Sequence, residues 1–434
     1  MLRHAALRPG PAGRVHYAWI VAGVTFVTLL MASGFRGAPT IMIVPLEREF
    51  GWSRATISLA LSINLLLFGL VSPFAAALLN RYGVRRTIGC ALALVAAGSA
   101  LTTLVDAPWQ LDLLWGVVIG TGTAAVSVPL AAAVASRWFV QRRSLVVGLL
   151  TSSYATGQLV FLPLLAWVAG ALGWRWVGAV VSLVAVCAVL PLVLLLMRER
   201  PSAIGLRAYG AHVDDVAPPL VNPFGQALSG LRLGIRSKDF WLLAASFFIC
   251  GATTTGLVGT HMVPAAMDHG MTEIAAASLL VVIGVFDIVG ATLSGWLTDR
   301  FDPRRLLFWY YGLRGLSLLA LPAAFGSPHV GLIVFCIFFG LDWVATVPPT
   351  VALTVRSFGA QNVGVVFGWI FAAHQFGAAL AAWGAGFGRT ETGDYRGTFI
   401  AAGALCLVAA LIVRWIGGAK RVGLPGEPAL DAAA

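Results

Sequence analysis

The chain has 434 residues, of which 59% are hydrophobic and only 11% are charged, and its formal net charge is +11. A soluble globular protein is about half apolar and about a quarter charged, so this composition excludes an ordinary soluble domain. The positive charge does not indicate nucleic-acid binding, because no basic patch stands on a foldable soluble segment. The composition instead predicts an all-α protein embedded in a lipid bilayer.

Twelve apolar runs follow one another along the chain, each about long enough for a helix to cross the hydrocarbon core of a membrane. The first six lie near residues 17–46, 54–79, 87–105, 109–136, 144–170 and 174–197, and the second six near 240–267, 273–298, 306–326, 329–355, 362–388 and 397–416. We predict twelve transmembrane helices, arranged as a six-helix bundle over 1–197, a linker over 198–237 and a second six-helix bundle over 238–434.

Two charged hinges indicate that the two bundles are copies of one unit. Residues 76–86 read AALLNRYGVRR, and residues 295–305, which lie 219 positions further on, read GWLTDRFDPRR. The matching arginines are Arg81, Arg85 and Arg86 in the first hinge and Arg300, Arg304 and Arg305 in the second. Because each copy has an even number of spans, both cross the membrane in the same direction, which is the parallel-repeat arrangement of several transporter folds.

The distribution of lysine and arginine predicts the orientation of the chain. With the N-terminus inside, 22 of the 29 basic residues fall in inner segments and five fall in outer loops. Cytoplasmic loops carry this excess in membrane proteins. The sequence therefore predicts that both termini are cytoplasmic and that the protein is a multi-pass component of the cytoplasmic (inner) membrane.

The hinges and the repeat resemble a known family. Twelve spans in two repeats, with a Gly/Ala-x-x-x-Asp/Asn-Arg-x-x-x-Arg-Arg hinge after the second and the eighth span, are similar to the major facilitator superfamily over essentially the whole chain. Residues 137–157, at the start of span five, resemble its monocarboxylate-porter and oxalate/formate-exchanger branch. The sequence departs from monocarboxylate porters at two places: Asp287 is followed four residues later by Ala291 instead of arginine, and the basic residue of span one is Arg36, whereas that of the porters falls nearer Ala38.

The resemblance implies which helices carry the site. Spans one, four, seven and ten line the central cavity of the family, and spans three, six, nine and twelve lie outside it. The hinge acid fastens the two halves on the cytoplasmic side. We therefore expect Asp299, whose counterpart in the first copy is Asn80, to carry most of this cytoplasmic gate together with the hinge arginines.

A few ionisable residues lie inside the spans, where each charge costs at least about 2.5–3.5 kcal/mol unless it has a partner or a water-filled cavity. Counted along the helices, Asp287, Arg314, Asp342 and His374 fall in one layer near the midplane. Asp287 and Arg314 are predicted to serve proton coupling or a buried ion pair. Arg314 is read as a buried partner of Asp287 or Asp342 in preference to a substrate contact.

The predicted substrate-binding residues are Arg36, Tyr154, His261, Asp342 and His374. Tyr154 and His374 are equivalent under a shift of 220 positions, so the pseudo-twofold axis would bring them across a central site, although ordinary helix packing of Tyr154 is an equal alternative. The guanidinium of Arg36 is suited to a carboxylate, because its planar fork holds two oxygens by parallel hydrogen bonds.

This inventory predicts a secondary transporter of a small organic anion, either a mono- or a dicarboxylate, that works by alternating access. A proton is the expected co-substrate, because histidine titrates near physiological pH. An anion exchanger and an efflux carrier for lipophilic or cationic compounds remain alternatives. We predict neither enzymatic activity, since no polar loop assembles a nucleophile and a base, nor a cofactor or metal, and we expect a monomer.

Overall fold

The computed structural model describes residues 16–52, 54–211, 222–271, 273–325 and 330–417. Spans 1 to 6 are Tyr17–Phe50, Arg54–Tyr82, Val84–Thr102, Pro108–Trp138, Arg143–Leu172 and Trp174–Leu196. Spans 7 to 12 are Lys238–Asp268, Glu273–Thr298, Pro303–Ala324, Val330–Phe358, Val363–Thr392 and Arg396–Ile412. The predicted fold of twelve transmembrane helices in two repeats is confirmed.

Several spans are interrupted where the backbone leaves regular α-helical geometry. Wide π-helical turns occur at Asp112–Ile119 in span 4, Ala185–Val189 in span 6 and Ala252–Val258 in span 7. Such turns leave backbone groups without their usual partners and often mark functional positions. In span 4, the side-chain amide of Asn64 donates to the Trp115 carbonyl at 2.8 Å. A polar side chain of span 2 therefore stabilises the distorted turn of span 4.

The two six-helix halves meet along two seams. Spans 5 and 8 form the first seam, where Gly148 lies so close to the Ala291 carbonyl that an added Cβ would overlap it. Spans 2 and 11 form the second, where a Cβ on Gly368 would lie 2.7 Å from the Pro73 Cα. Small residues of this kind let transmembrane helices approach at backbone distance. Glycine thus allows tight closure at both seams.

These two seam contacts lie towards one end of the bundle, which we call the basic face. It is the end that carries the two hinges, residues 76–86 and 295–305. Gly148 is six residues into span 5 from this end, and Gly368 is similarly placed in span 11. The structure therefore shows the two halves in contact at the basic face.

Part of the predicted linker is a helix, Pro223–Ile235, that lies across the basic end of the second seam. The indole nitrogen of Trp369 on span 11 donates to the Ala227 carbonyl at 3.0 Å. The ring of Phe224 lies 5.6 Å from that of Phe74 on span 2. This helix consequently contacts both halves and is more than a flexible connection between them.

Candidate functional site

An arginine, a histidine and three phenylalanines meet at the centre of the bundle, and we call this group the central site. The guanidinium of Arg36 on span 1 lies 4.2 Å from the ring centroid of Phe68 on span 2. Across the seam, the ring of Phe371 on span 11 lies 5.4 Å from that of Phe68. Phe371 stacks on His374 at 5.9 Å, and Phe247 of span 7 contacts His374 at 4.7 Å. Both halves therefore contribute to the group.

His374 has a polar atom available at this site. Its side chain is buried, and its Nδ1 atom has no hydrogen-bond partner among the described residues. Buried polar atoms are nearly always paired in proteins, so this imidazole nitrogen is a candidate position for contact with a ligand or water.

Arg314 of span 9 is fully buried and forms an ion pair with Asp342 of span 10. Its Nε donates to Asp342 Oδ2 at 2.6 Å, and the side chain of Asp342 is only 8% exposed. Arg314 also donates to the backbone carbonyls of Asp342 and Trp343, at 2.5 and 3.3 Å, and to the Cys250 sulfur at 3.1 Å. The geometry thus places Asp342 with Arg314 and leaves span 9 fastened to spans 7 and 10.

The hydrogen bonds from Arg314 to the backbone carbonyls of Asp342 and Trp343 compensate for a break in span 10. The helix stops at Asp342 and resumes at Val347, just before Pro348 and Pro349. Proline has no backbone N–H, so preceding carbonyls lose their helical donors. The Ser294 hydroxyl supplies one donor by binding the Ala345 carbonyl at 2.5 Å. Polar side chains of spans 8 and 9 therefore satisfy the freed backbone of span 10.

Asp287 of span 8 contributes to the same break as an acceptor. Its Oδ1 accepts a hydrogen bond from the Val344 N–H at 2.9 Å. Its Oδ2 is buried and has no partner among the described residues, and the same holds for Oδ1 of Asp342. Each of the two carboxyl groups therefore has one buried oxygen without a hydrogen-bond partner in the described part of the C-terminal half.

His261 lies apart from the central site. Its Nε2 donates to the Ala382 carbonyl at 2.8 Å, because a carbonyl can only accept. Its Nδ1 then accepts from the Tyr395 hydroxyl at 3.2 Å. Both ring nitrogens are thus used in joining spans 7, 11 and 12. Tyr154 lies in span 5, and its side chain is outside the described part of the chain.

The hinge acid Asp299 connects the two halves. Its two carboxylate oxygens accept hydrogen bonds from the backbone N–H groups of Ser144 and Leu145, at 3.1 and 3.0 Å. Those N–H groups belong to the first turn of span 5, where the helix dipole favours a negative charge. Its counterpart, Asn80, instead accepts from Arg137 within its own half. The two hinges therefore make different contacts.

The hinge arginines are distributed between two cavities of the basic face. Arg81, Arg85 and Arg86 line a cavity in the N-terminal half, and Arg304 and Arg305 line a smaller one in the C-terminal half. Arg300 packs its guanidinium 3.9 Å from the ring centroid of Trp296. Of the hinge side chains, only Asp299 makes a hydrogen bond across the seam in the described part of the chain.

Two six-helix halves that meet at one face, with ionisable groups inside the spans, are the architecture of a secondary transporter. The chain belongs to the Major Facilitator Superfamily, whose family model matches residues 24–382 and 262–432. The resemblance inferred from the hinges is thereby confirmed.

Proteins named as transporters are among its relatives. The chain is 27% identical to monocarboxylate transporter 13 of Rattus norvegicus over 91% of this chain and 87% of that protein. It is 27% identical to monocarboxylate transporter 11 of Homo sapiens, with 94% and 85% covered. It is 25% identical to the uncharacterised MFS-type transporter YcxA of Bacillus subtilis, with 85% and 87% covered.

The fold matches solved transporter structures. The proton:xylose symporter XylE superposes with a TM-score of 0.71 at 15% identity, with 92% of this chain and 95% of that chain covered. The fucose transporter FucP superposes with a TM-score of 0.67 at 17% identity, with 93% and 100% covered. These likenesses establish the fold.

Sequence reasoning did not identify the phenylalanine pair Phe68 and Phe371, because an aromatic residue in an apolar span gives no sign of which helix it faces. It also did not identify Ser294. Here a signal was present: Pro348 and Pro349 predict a break in span 10, and a break requires polar side chains from neighbouring helices.

Proposed function

We propose that this transporter moves a small monocarboxylate across the cytoplasmic membrane, together with a proton. The observation that carries the proposal is the position of Arg36, whose guanidinium reaches the centre of the seam on the ring of Phe68. A guanidinium is suited to a carboxylate, because its planar fork can hold two oxygens by parallel hydrogen bonds.

The surroundings of Arg36 favour one carboxylate rather than two. Phe68, Phe371 and Phe247 provide apolar surface around the group, and His374 provides one further polar atom. A monocarboxylate with a short apolar body matches one guanidinium and several rings. Monocarboxylate transporters 11 and 13 are relatives over most of the chain, which supports the same substrate class.

The proposed proton carriers are His374 and Asp287. His374 has an unpaired Nδ1 at the central site, and Asp287 has an unpaired Oδ2 beside the break in span 10. Each of these two atoms can exchange a proton without disrupting a hydrogen bond in the described part of the chain. XylE, a structural neighbour, is a proton symporter. We propose that the proton and the anion cross together, so that less charge is moved.

The proposed orientation places the basic face in the cytoplasm, since the sequence assigns 22 of the 29 basic residues to the segments predicted on that side. The seam contacts of Asp299 and Gly148 close this face. The structure then corresponds to a carrier that is shut towards the cytoplasm. Rocking of the halves about the central site would open it for release.

The test is uptake of labelled mono- and dicarboxylates into proteoliposomes, with and without an inward proton gradient. Arg36→Ala should reduce uptake of the transported anion by roughly 30-fold or more, because losing a desolvated charge partner costs about 2–5 kcal/mol. Arg175→Ala is the matched control, since Arg175 pairs with Glu49 at 2.6 Å on the partly exposed opposite face. Full uptake by Arg36→Ala would refute the substrate assignment.

Proton coupling is tested separately with His374→Gln and Asp287→Asn. At least one of them should transport in counterflow, which needs no net driving force, and should lose acceleration by the proton gradient. Retention of this acceleration by both variants would eliminate the proposed carriers. Uptake that depends on an internal anion and ignores the gradient would identify exchange instead.

A further inference from the structure

A large cavity opens at the basic face of the N-terminal half, well away from the central site. Its volume is about 1140 Å³, and it lies between the first hinge and the basic ends of spans 4 and 6. The arginines that line it, which define what we call the arginine cavity, are Arg81, Arg85, Arg86, Arg137, Arg198 and Arg200. The proposed substrate site includes none of these side chains.

The arginine cavity is poorly neutralised from within. Glu199 is the one acidic residue in its described lining. The Glu199 carboxylate already binds backbone groups: it accepts hydrogen bonds from the N–H groups of Val84 and Arg85 at the start of span 3. Among the described residues, Arg81 and Arg86 form no ion pair with a carboxylate. The positive charge of Arg81 and Arg86 is therefore left for an outside anion.

The second hinge provides an internal comparison. The residue equivalent to Gly83 is Asp302, which binds Arg304 at 2.8 Å and lies 3.9 Å from Arg356. Hydrogen bonds from Arg304 lower the pKa of Asp302, so this carboxylate is charged at neutral pH. The corresponding cavity is about 340 Å³ and has three arginines. In the described lining, one acid thus accompanies three arginines in the C-terminal copy but six arginines in the arginine cavity, and Asp302 binds an arginine of its own cavity.

We propose that the arginine cavity binds the phosphate-bearing headgroup of an anionic phospholipid. Arginine binds phosphate oxygens through its fork of N–H donors, and basic pockets between transmembrane helices suit such headgroups. The cavity is also lined by Leu194 of span 6, and the neighbouring Leu195 is 68% exposed. Apolar surface next to the arginines fits acyl chains beside a headgroup, which a soluble phosphate does not require.

The experiment measures lipid binding to the purified full chain by native mass spectrometry and in nanodiscs. Phosphatidylglycerol should bind and phosphatidylcholine should not. Arg81→Gln with Arg86→Gln should weaken phosphatidylglycerol binding about 25-fold, at about 5-fold for each arginine. The matched control is Arg300→Gln with Arg305→Gln, which removes the equivalent exposed pair of the second hinge and should have little effect.

A second variant distinguishes weaker lipid binding from a loss of folding. Ala203→Glu adds an acid at an exposed position of the cavity lining and should also weaken binding. Equal weakening by the two double variants would show a general surface attraction and overturn the proposal. Binding of inorganic phosphate or glycerol phosphate as tight as that of the lipid would overturn the assignment to a lipid.

Discussion

Replacing Asp299 with asparagine should shift the equilibrium of the two halves towards the state that is open at the basic face. The carboxylate accepts two backbone hydrogen bonds from the first turn of span 5, at 3.1 and 3.0 Å. An asparagine side chain retains one oxygen acceptor but loses the second acceptor and the charge. One hydrogen bond to a charged group contributes about 2 kcal/mol, so the ratio of open to closed molecules should rise roughly 30-fold.

The assay is a distance measurement by electron–electron double resonance between spin labels on the two halves. Val140 and Phe301 are suitable label sites, because both are exposed loop residues at the basic face and neither belongs to the contact. The exposed native Cys90 and Cys187 are first replaced by alanine. Asp299→Asn should increase the population at the longer label distance.

Asp302→Asn is the matched control. Asp302 lies in the same hinge and carries the same charge, but its partners Arg304 and Arg356 belong to its own half. Its loss should leave the label distance unchanged. The reasoning is refuted if Asp299→Asn leaves the distance distribution as in the parent protein, or if both variants shift it equally.

Three further changes test the packing of the C-terminal half by thermal unfolding in detergent. Arg314→Met should destabilise by about 3–5 kcal/mol, because it leaves a buried charge, and the double variant Arg314→Met/Asp342→Leu should recover part of this loss. Ser294→Ala should cost about 1–3 kcal/mol, because a buried carbonyl at the break of span 10 loses its donor. Gly290→Ala should cost about 1–3 kcal/mol through overlap with the backbone of span 10, whereas Gly312→Ala has open space and should cost little.

Each of these outcomes has a result that would contradict it. A double variant no more stable than Arg314→Met would show that the ion pair is not the source of the loss. An unchanged unfolding temperature for Ser294→Ala would show that the break finds another donor. Equal stability of the Gly290→Ala and Gly312→Ala variants would mean that spans 8 and 10 are less closely packed than the structure shows.

The number, order and approximate ends of the spans could be predicted from sequence, since apolar length is a local property. Span 9, for example, was expected at 306–326 and occupies Pro303–Ala324. The repeat was also visible, because the hinge arginines keep their spacing. What unites these features is that none depends on how a helix is rotated about its axis.

The partners of the buried charges depend on that rotation and could not be predicted. Helical rise placed Arg314, Asp287 and Asp342 at one height, but it could not decide which acid the arginine binds. In the structure Asp342 is the partner, and Asp287 binds the Val344 N–H. That N–H is available only because span 10 is broken, so a long-range contact follows from a local irregularity.

The two seams are closed at the basic face by different contacts. The loss of one contact therefore lowers the free-energy cost of opening at only one seam. At the seam of spans 5 and 8, Asp299 supplies charge-assisted hydrogen bonds to backbone. At the seam of spans 2 and 11, the equivalent Asn80 binds within its own half, and the linker helix Pro223–Ile235 covers the seam through contacts with Phe74 and Trp369. Opening the face must therefore release a carboxylate at one seam and displace a largely apolar helix at the other. Because removal of Asp299 lowers only the first cost, it shifts the equilibrium without locking the carrier open.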